Sequence, residues 1–393
     1  MGLGVLFLPN QFWETGILAM PTIMIGSLCL TLYCTKLLLI CADDYGDSYS
    51  EIAESAYGGG MKKLTEILII LSQMSFCTNY VYFISSQIGS IFYCNRDLSE
   101  AEIATCGEAL LVKENVNLWW FLPALMCVFV PLVFIRKMEK LAFTHLIGDV
   151  IIITVVTTVL VYAGQRFVTN PGLAIEAGAV STYITSSAVS AVPYSAFAFE
   201  GVAVVLPLRD IVADKQGFYK RVCCVVSAIC FFYILFGEVC VLAWGDMEKI
   251  VLITDGLPPT SYVTYSLKVL YTINLFCSYP LMMSPAINLI EGYIFTASQK
   301  PTTGRYWMQN AIRTLLVMVT ITLALSIYEY ITVFIEVVAA ATCAPLAFTL
   351  PALFHYKLKG GNKAHLAIAI LTTILTIYMI ITSVIKLVQD LTA

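Results

Sequence analysis

The sequence predicts an all-α protein threaded many times through a membrane, and three observations predict it. Of the 393 residues, 59% are hydrophobic and only 12% are charged, against roughly 45–50% and 25% in soluble chains. The 22 basic and 26 acidic side chains are too few to clothe a globule of this size in polar surface. Apolar runs of about 20 residues, the length that crosses a bilayer as a helix, recur along the chain. The net charge of −4 excludes a nucleic-acid binder driven by bulk electrostatics, because phosphate binding needs a basic face. The 21 Phe and 22 Tyr, set in continuous aliphatic stretches, exclude intrinsic disorder.

Full-length spans are expected at about 17–41, 64–92, 117–135, 141–164, 189–208, 220–244, 262–292, 307–327, 330–356 and 364–388. The opening segment Gly2 to Trp13 is apolar but stops at Glu14. At 1.5 Å per residue it reaches only about 18 Å, half the membrane. Lys62, Lys63, Arg136, Lys137, Lys140, Arg209, Lys215, Lys220, Arg221, Lys300, Arg305, Lys357, Lys359 and Lys363 fall in loops of one side. Arg96, Lys113, Arg166 and Lys249 fall on the other. The positive-inside rule makes the first side cytoplasmic. Residues 2–13 must then cross outward, which gives eleven crossings and an extracytoplasmic C-terminus. His145, His355 and His365 all lie near the cytoplasmic face.

Two spans share a phrase. Gly4-Val-Leu-Phe-Leu-Pro9 in the first is like Gly201-Val-Ala-Val-Val-Leu-Pro207 in the sixth. Five spans apart, they cross in opposite directions. Inverted repeats meeting at Gly- and Pro-interrupted helices mark many secondary transporters, although Gly and Pro are enriched in membrane helices anyway. The chain is expected to be one transmembrane domain over 1–392: a first repeat in 1–164, a second in 189–356 and an appended helix in 364–388.

Several phrases together carry a resemblance. Gly2-Leu-Gly-Val-Leu-Phe-Leu-Pro9 resembles the first-helix motif of the amino acid/auxin permease family. Ala196-Phe-Ala-Phe-Glu-Gly-Val-Ala-Val-Val-Leu-Pro-Leu208 is similar to the sixth-helix motif of its proton-coupled and vacuolar branch. Tyr49-Ser-Glu-Ile-Ala53 with Tyr57-Gly58 resembles the loop after helix 2. Gln73-Met-Ser-Phe-Cys-Thr-Asn-Tyr80 resembles helix 3, and Cys343-Ala-Pro-Leu-Ala-Phe-Thr-Leu-Pro351 with His355 resembles helix 10. The likeness runs from Gly2 to about Leu358, with the sixth-helix phrase the most specific. It implies a LeuT-like fold of eleven spans, five plus five inverted with one appended, moving amino acids and commonly coupled to protons. Family members carry a cytoplasmic tail and an inner half of helix 1 before the Gly-x-Gly break. Here Met1 stands almost at the break, so the first helix is expected to be incomplete and the start misassigned.

The resemblance places the site at the two breaks. A zwitterion leaving water needs fixed partners for both charges. A half-helix N-terminus offers amides and a positive dipole to the carboxylate, and unwound carbonyls face the ammonium. Gly2, Leu3, Gly4 and Val5 fit that role in helix 1, where the glycines could instead merely ease packing. Phe197, Phe199, Glu200 and Gly201 form the matching break in helix 6, with the phenylalanines as pocket wall or simple core. An intramembrane carboxylate faces the bundle interior and is functional by default. Burial favours the neutral form of Glu200, so it can hold and release a proton, or it caps its own frayed backbone. Asp149, Glu238 and Glu336 sit several residues inside their spans. Asp149 and Glu336 are the further proton-coupling candidates, or pair with Arg313 or a hydroxyl. Asn79 and Tyr80 of helix 3, with Tyr279 of helix 8, are candidates for the substrate's polar groups. Ser278 and Ser284 could serve a cation, so a Na+ site is the lesser expectation beside H+.

Thirteen cysteines form no metal-ligand spacing, so no cofactor or metal is expected. Cys94 and Cys106 share an extracytoplasmic loop where a disulfide can persist. The expected partners are an amino-acid substrate, probed most simply among small neutral ones, and the lipid bilayer. The expected activity is proton-coupled amino-acid symport by alternating access in a vacuolar or lysosomal membrane. A plasma-membrane address, a sodium-coupled or uncoupled transporter, and an amino-acid sensor of the same fold are the alternatives. An enzyme is not expected, for want of a Ser/His pair or paired metal ligands at span depth.

Overall fold

The computed structural model describes residues 4–94, 119, 121–136, 138–169, 191–199, 201, 205–206, 208–209, 212, 215, 217–245, 247, 250, 252–258, 261–295, 302–360 and 363–392. Those residues are helical nearly throughout and include no strand. Among the described residues, eight helices are long and apolar enough to cross a membrane. The expected span at 117–135 is described only as the 13-residue helix α5, Phe121–Val133, and the one at 189–208 is interrupted after Ala198. Two compact units interleave along the chain, each drawing on both of the predicted halves.

Unit 1 comprises Met1–Asn10, Gln73–Ala179 and Val239–Ile331. It holds the start of α1 (Gly4–Thr15), most of the membrane length of α4 (Gly59–Cys94), and all of α5 and α6 (Met138–Thr169). From the second half come the end of α8 (Phe218–Trp244), α9 (Tyr262–Ile294) and α10 (Thr303–Ser326). Helix α9 packs along α6 and α5. Gly148 permits the first contact, since a Cβ there would stand 2.1 Å from the Asn274 Oδ1. The rings of Phe129 and Tyr279 meet at 4.1 Å between centroids on the second. Asn10 at the start of the chain donates to the carbonyls of Met247 (3.2 Å) and Ile250 (3.3 Å), so a loop beyond α8 is fastened to α1.

Two charges buried in unit 1 are paired. Lys268, 7% exposed, donates to Asp255 at 2.9 Å and to Ser90 at 2.7 Å. Arg313, also 7% exposed, donates to Glu291 at 2.8 Å and to the Val133 carbonyl at 3.0 Å. An unpartnered ion at span depth would be costly, and both cations are held by a carboxylate and a second oxygen.

Unit 2 comprises Gln11–Ser72, Val180–Glu238 and Thr332–Ala393. Its helices include α2 (Ala19–Tyr45), α3 (Tyr49–Tyr57), α7 (Ala191–Ala198) and most of α8. The tenth span begins as α11 (Ile331–Val338), widens through two π-helical turns at Ala339–Cys343 and Pro345–Thr349, and ends as α12 (Leu350–Leu358). Pro345 has no amide hydrogen and crowds the carbonyl four residues back. The helix accommodates it by i−5 bonds, Ala344 N–H to Ala339 O and Leu350 N–H to Pro345 O. Helix α13 (Lys363–Thr392) packs on these turns and on α12.

The turn from α1 to α2 depends on Gly16, whose φ of +103° lies where a side chain is disfavoured. Phe12, fully buried, lies on α8 at Gly237, where a Cβ would stand 2.5 Å from its ring. The helix ends on the side expected to be cytoplasmic are tied by Tyr49 donating to Leu346 O at 2.7 Å and Tyr45 donating to Leu358 O at 2.9 Å. Lys359 donates to Asp44, and this bond raises the lysine above its ordinary pKa.

Two substitutions test this packing. Gly237→Val should overpack Phe12 and cost roughly 1–3 kcal/mol, seen as a lower midpoint in thermal unfolding of the purified protein. Gly164→Ala, with nothing within 4 Å of the new atom, should leave the midpoint unchanged. Lys268→Met should destabilise by on the order of 2 kcal/mol, less than the roughly 3–5 of a fully buried pair because Asp255 keeps 21% side-chain exposure. Adding Asp255→Leu should restore most of that loss; equal midpoints for the single and double variants would mean the pair does not couple.

Candidate functional site

The site begins with the sequence Ala191-Val-Pro-Tyr-Ser-Ala-Phe-Ala198, which forms α7. The Phe199 N–H bonds Ser195 O at 3.1 Å, and the Val205 N–H bonds Gly201 O at 3.0 Å. Gly201 itself is outside any helix, so the chain breaks where the sequence motif predicts. Glu200 lies outside the described residues. Phe197 and Phe199 are buried, at 6% and 8% exposure. The helix is held in unit 2 by a 2.6 Å hydrogen bond between the Ser195 and Ser27 hydroxyls and by packing against α2 and the first π-helical turn. Unwound backbone at span depth is tolerated only inside protein or beside a water-filled cavity.

One helical turn before the break is a polar nest that sequence reasoning missed. Tyr194 is 2% exposed, and its hydroxyl has no hydrogen-bond partner among the described residues. Glu14 and Glu336 both lie close enough to act on it electrostatically. Gln11, 1% exposed, donates from Nε2 to Glu14 at 3.3 Å, while its Oε1 lacks a donor among the described residues. Glu336 is 1% exposed. Tyr194, Gln11 and Glu336 are thus buried in unit 2, with Glu14 half-buried beside Gln11. The signal in the sequence was the pairing of Pro193-Tyr194 with the acid that ends the first apolar run, Glu14.

In unit 1 the described part of the first motif starts at Gly4, half-buried, and Val5, at 1% exposure; Gly2 and Leu3 lie outside the described residues. Two residues on, Phe7 faces Tyr82 and Phe83 of α4 at 6.4 and 6.5 Å between centroids. Asn79 of the same helix is fully buried, and neither its Oδ1 nor its Nδ2 has a partner among the described residues. A buried amide in that state calls for water or a ligand. Tyr80 is buried beside it. Tyr279 is otherwise engaged: its hydroxyl bonds Thr320 at 2.6 Å and its ring lies on Phe129.

The remaining candidates separate. Asp149 is exposed on α6 rather than buried, because its neighbour Gly148 is the residue turned to α9. Glu238 is half-buried. Arg313, considered as a partner for these acids, is taken by Glu291. Ser278 reaches the Asn274 side chain at 3.5 Å, and Ser284 accepts from Asn288 at 3.4 Å. The Cys94 side chain and the whole of Cys106 lie outside the described residues. Among the described residues, no group of three or more His, Cys, Asp or Glu is placed to hold a metal ion.

The chain resembles known proteins over its whole length. It is 28% identical over 362 residues to "Vacuolar amino acid transporter 3" of Schizosaccharomyces pombe, a match covering 92% of this chain and 52% of that protein. It is 26% identical over 383 residues to "Vacuolar amino acid transporter 3" of Saccharomyces cerevisiae, covering 95% and 52%. The chain thus spans about half the length of these curated relatives. Among solved structures, "Inward facing conformation of Mhp1" superposes with a TM-score of 0.58 at 11% identity, covering 99% of this chain and 88% of that one, a likeness of fold that bears out the LeuT-like architecture. The family model described as "Transmembrane amino acid transporter protein" matches residues 1–390, and the chain belongs to that family of multi-pass membrane transporters.

Proposed function

We propose that the protein is a proton-coupled symporter of small neutral amino acids, working by alternating access in a vacuolar membrane. The non-helical backbone at Gly201 that follows the end of α7 at Ala198 carries this reading. It frees backbone amides and carbonyls at span depth, and these can hold the ends of a zwitterion without the cost of reorganising. Phe197 and Phe199, buried at the same point, offer an apolar wall to an uncharged side chain. The vacuolar address is taken from the names of the two fungal relatives.

Proton handling falls to acids in or next to that break. Glu200 stands in the gap itself by sequence, and Glu336 sits in the buried nest with Tyr194. A carboxyl that charges and discharges as the site faces an acidic and then a neutral compartment couples the two fluxes. Asp149, exposed on α6, has the weaker placement for that work. Asn79, buried with no hydrogen-bond partner among the described residues, is the first described side chain to which a polar role in unit 1 can be given.

Radiolabelled alanine uptake into proteoliposomes, with and without an inwardly directed proton gradient, tests the proposal. Uptake should rise with the gradient and be indifferent to sodium. Glu336→Gln and Glu200→Gln should each reduce uptake to the level measured without a gradient, while counterflow exchange of alanine persists. Gradient-driven uptake intact in both variants would remove these acids from coupling, and uptake driven by sodium alone would favour the sodium-coupled alternative. Asn79→Ala should raise the KM for alanine with less change in kcat, because it removes binding rather than coupling.

A further inference from the structure

His355 and His365 form a cluster that the transport reading leaves unused. His355 stands three residues before α12 ends at Leu358, and His365 two residues after α13 begins at Lys363. Their Nδ1 atoms are 3.1 Å apart, and the rings meet edge to face at 4.5 Å between centroids. The Nε2 of His365 lies 2.8 Å from the Tyr33 hydroxyl of α2. One row of side chains thus joins three helices of unit 2. Both imidazoles are half-buried, so they exchange protons with water, at helix ends expected on the cytoplasmic side.

This geometry counts protons. An imidazole nitrogen donates only when it carries hydrogen and accepts only when it does not. The bond between the two Nδ1 atoms therefore needs hydrogen on one of them and none on the other. A neutral pair meets that condition, and so does a pair with one added proton. A pair with two added protons fails it, because both Nδ1 atoms then carry hydrogen and two positive rings are in contact. Tyr33 does not discriminate, since a hydroxyl can donate to Nε2 or accept from it.

The surroundings work in the same direction. His365 and Lys359 act on His355 electrostatically, and both oppose a second proton there; Lys359 is itself bonded to Asp44 of α2. Lys36 on α2 and Lys363 on α13 are exposed and of the same sign. From α3, Tyr49 is engaged with the Leu346 carbonyl, and Tyr57 lies under Lys357. The π-helical turn Pro345–Thr349 brings no titratable side chain. One turn deeper, Leu37, Ala352 and Ala369 of the same three helices form an apolar cluster, and the Thr349 and Thr372 hydroxyls bond at 3.0 Å. Those contacts do not titrate, so any release is confined to the helix ends.

We propose that the two histidines are a pH-sensitive clasp. With no more than one added proton they hold the start of α13 to the end of α12; with both rings charged the bond is lost and the start of α13 is let go. The unfolded chain takes up both protons near the ordinary histidine pKa of about 6.5, whereas the folded pair resists the second. The clasp therefore contributes above about pH 6.5 and is lost as the pH falls below it.

Amide hydrogen exchange over Ala367–Leu371 of the purified full chain, corrected for the intrinsic effect of pH, reads the hold on α13. Between about pH 7.5 and 5.5 protection should fall about fivefold, the size of one hydrogen bond. In His355→Asn the amide can accept from His365 Nδ1 whether that ring is neutral or charged, so protection should stay high at both pH values. His355→Ala should be poorly protected at both. His365→Asn should respond as His355→Asn does, and it decides the matter if the His355 variants are not monodisperse. His145→Asn, which removes the third histidine, should fall as the parent does. Parent protection indifferent to pH, a parent-like fall in the two asparagine variants at the clasp, parent-like protection at the higher pH in His355→Ala, or a flat response in His145→Asn would each overturn the proposal.

Discussion

In hydrocarbon, a backbone amide or an ion has no water to fall back on, and every such group must find its partner inside the protein. That constraint orders the molecule. It makes the described residues helical nearly throughout. It also explains how the exceptions survive. The tenth span keeps its ladder past Pro345 by shifting to i−5 bonds. In the sixth, α7 ends at Ala198 and Gly201 stands outside any helix, with Phe197 and Phe199 both buried. The first deviation repairs itself within the helix; the second is where the substrate is proposed to sit.

The same rule sorts the ionisable groups. Lys268 and Arg313 each rest on a carboxylate and a second oxygen, so their charges are spent on structure. The nest of unit 2 is built differently. Gln11 donates to Glu14, and Glu14 and Glu336 act electrostatically on Tyr194, whose hydroxyl, like one Gln11 oxygen, has no hydrogen-bond partner among the described residues. A buried phenol and amide in that state call for water or a ligand.

Much of this was legible in the sequence, for identifiable reasons. Span positions follow from the 20-residue apolar ruler, and the break in α7 follows from the Phe-Glu-Gly phrase, because both are local. The apolar run through 189–208 reads as full-length across that break, since a hydropathy window averages over a single non-helical residue such as Gly201. Burial was harder. Asp149 and Glu336 look alike in sequence, each several residues inside a span, yet the first is exposed and the second buried. Which way a helix faces is decided by neighbours such as Gly148 against Asn274, and those are distant in sequence. The partners of Lys268 and Arg313, at separations from 13 to 180 residues, were unreadable for the same reason. Tyr279 is a candidate for the substrate's polar groups, and that its hydroxyl bonds Thr320, forty-one residues away, was likewise unreadable.

The pairing of the interior charges bears on what the protein can carry. A cationic or anionic substrate side chain would need a fixed counter-ion at span depth, or pay the cost of an unpaired ion. In unit 1 the buried cations are already matched by Asp255 and Glu291, so withdrawing either partner to meet a substrate would strand the other. The α7 break is bordered by Phe197 and Phe199, which add apolar surface and no charge. A zwitterion with an uncharged side chain asks nothing further of this arrangement: backbone groups can meet its two fixed charges, and the phenylalanines its remainder. That economy of interactions, rather than any one contact, is what favours small neutral amino acids over charged ones as the proposed cargo.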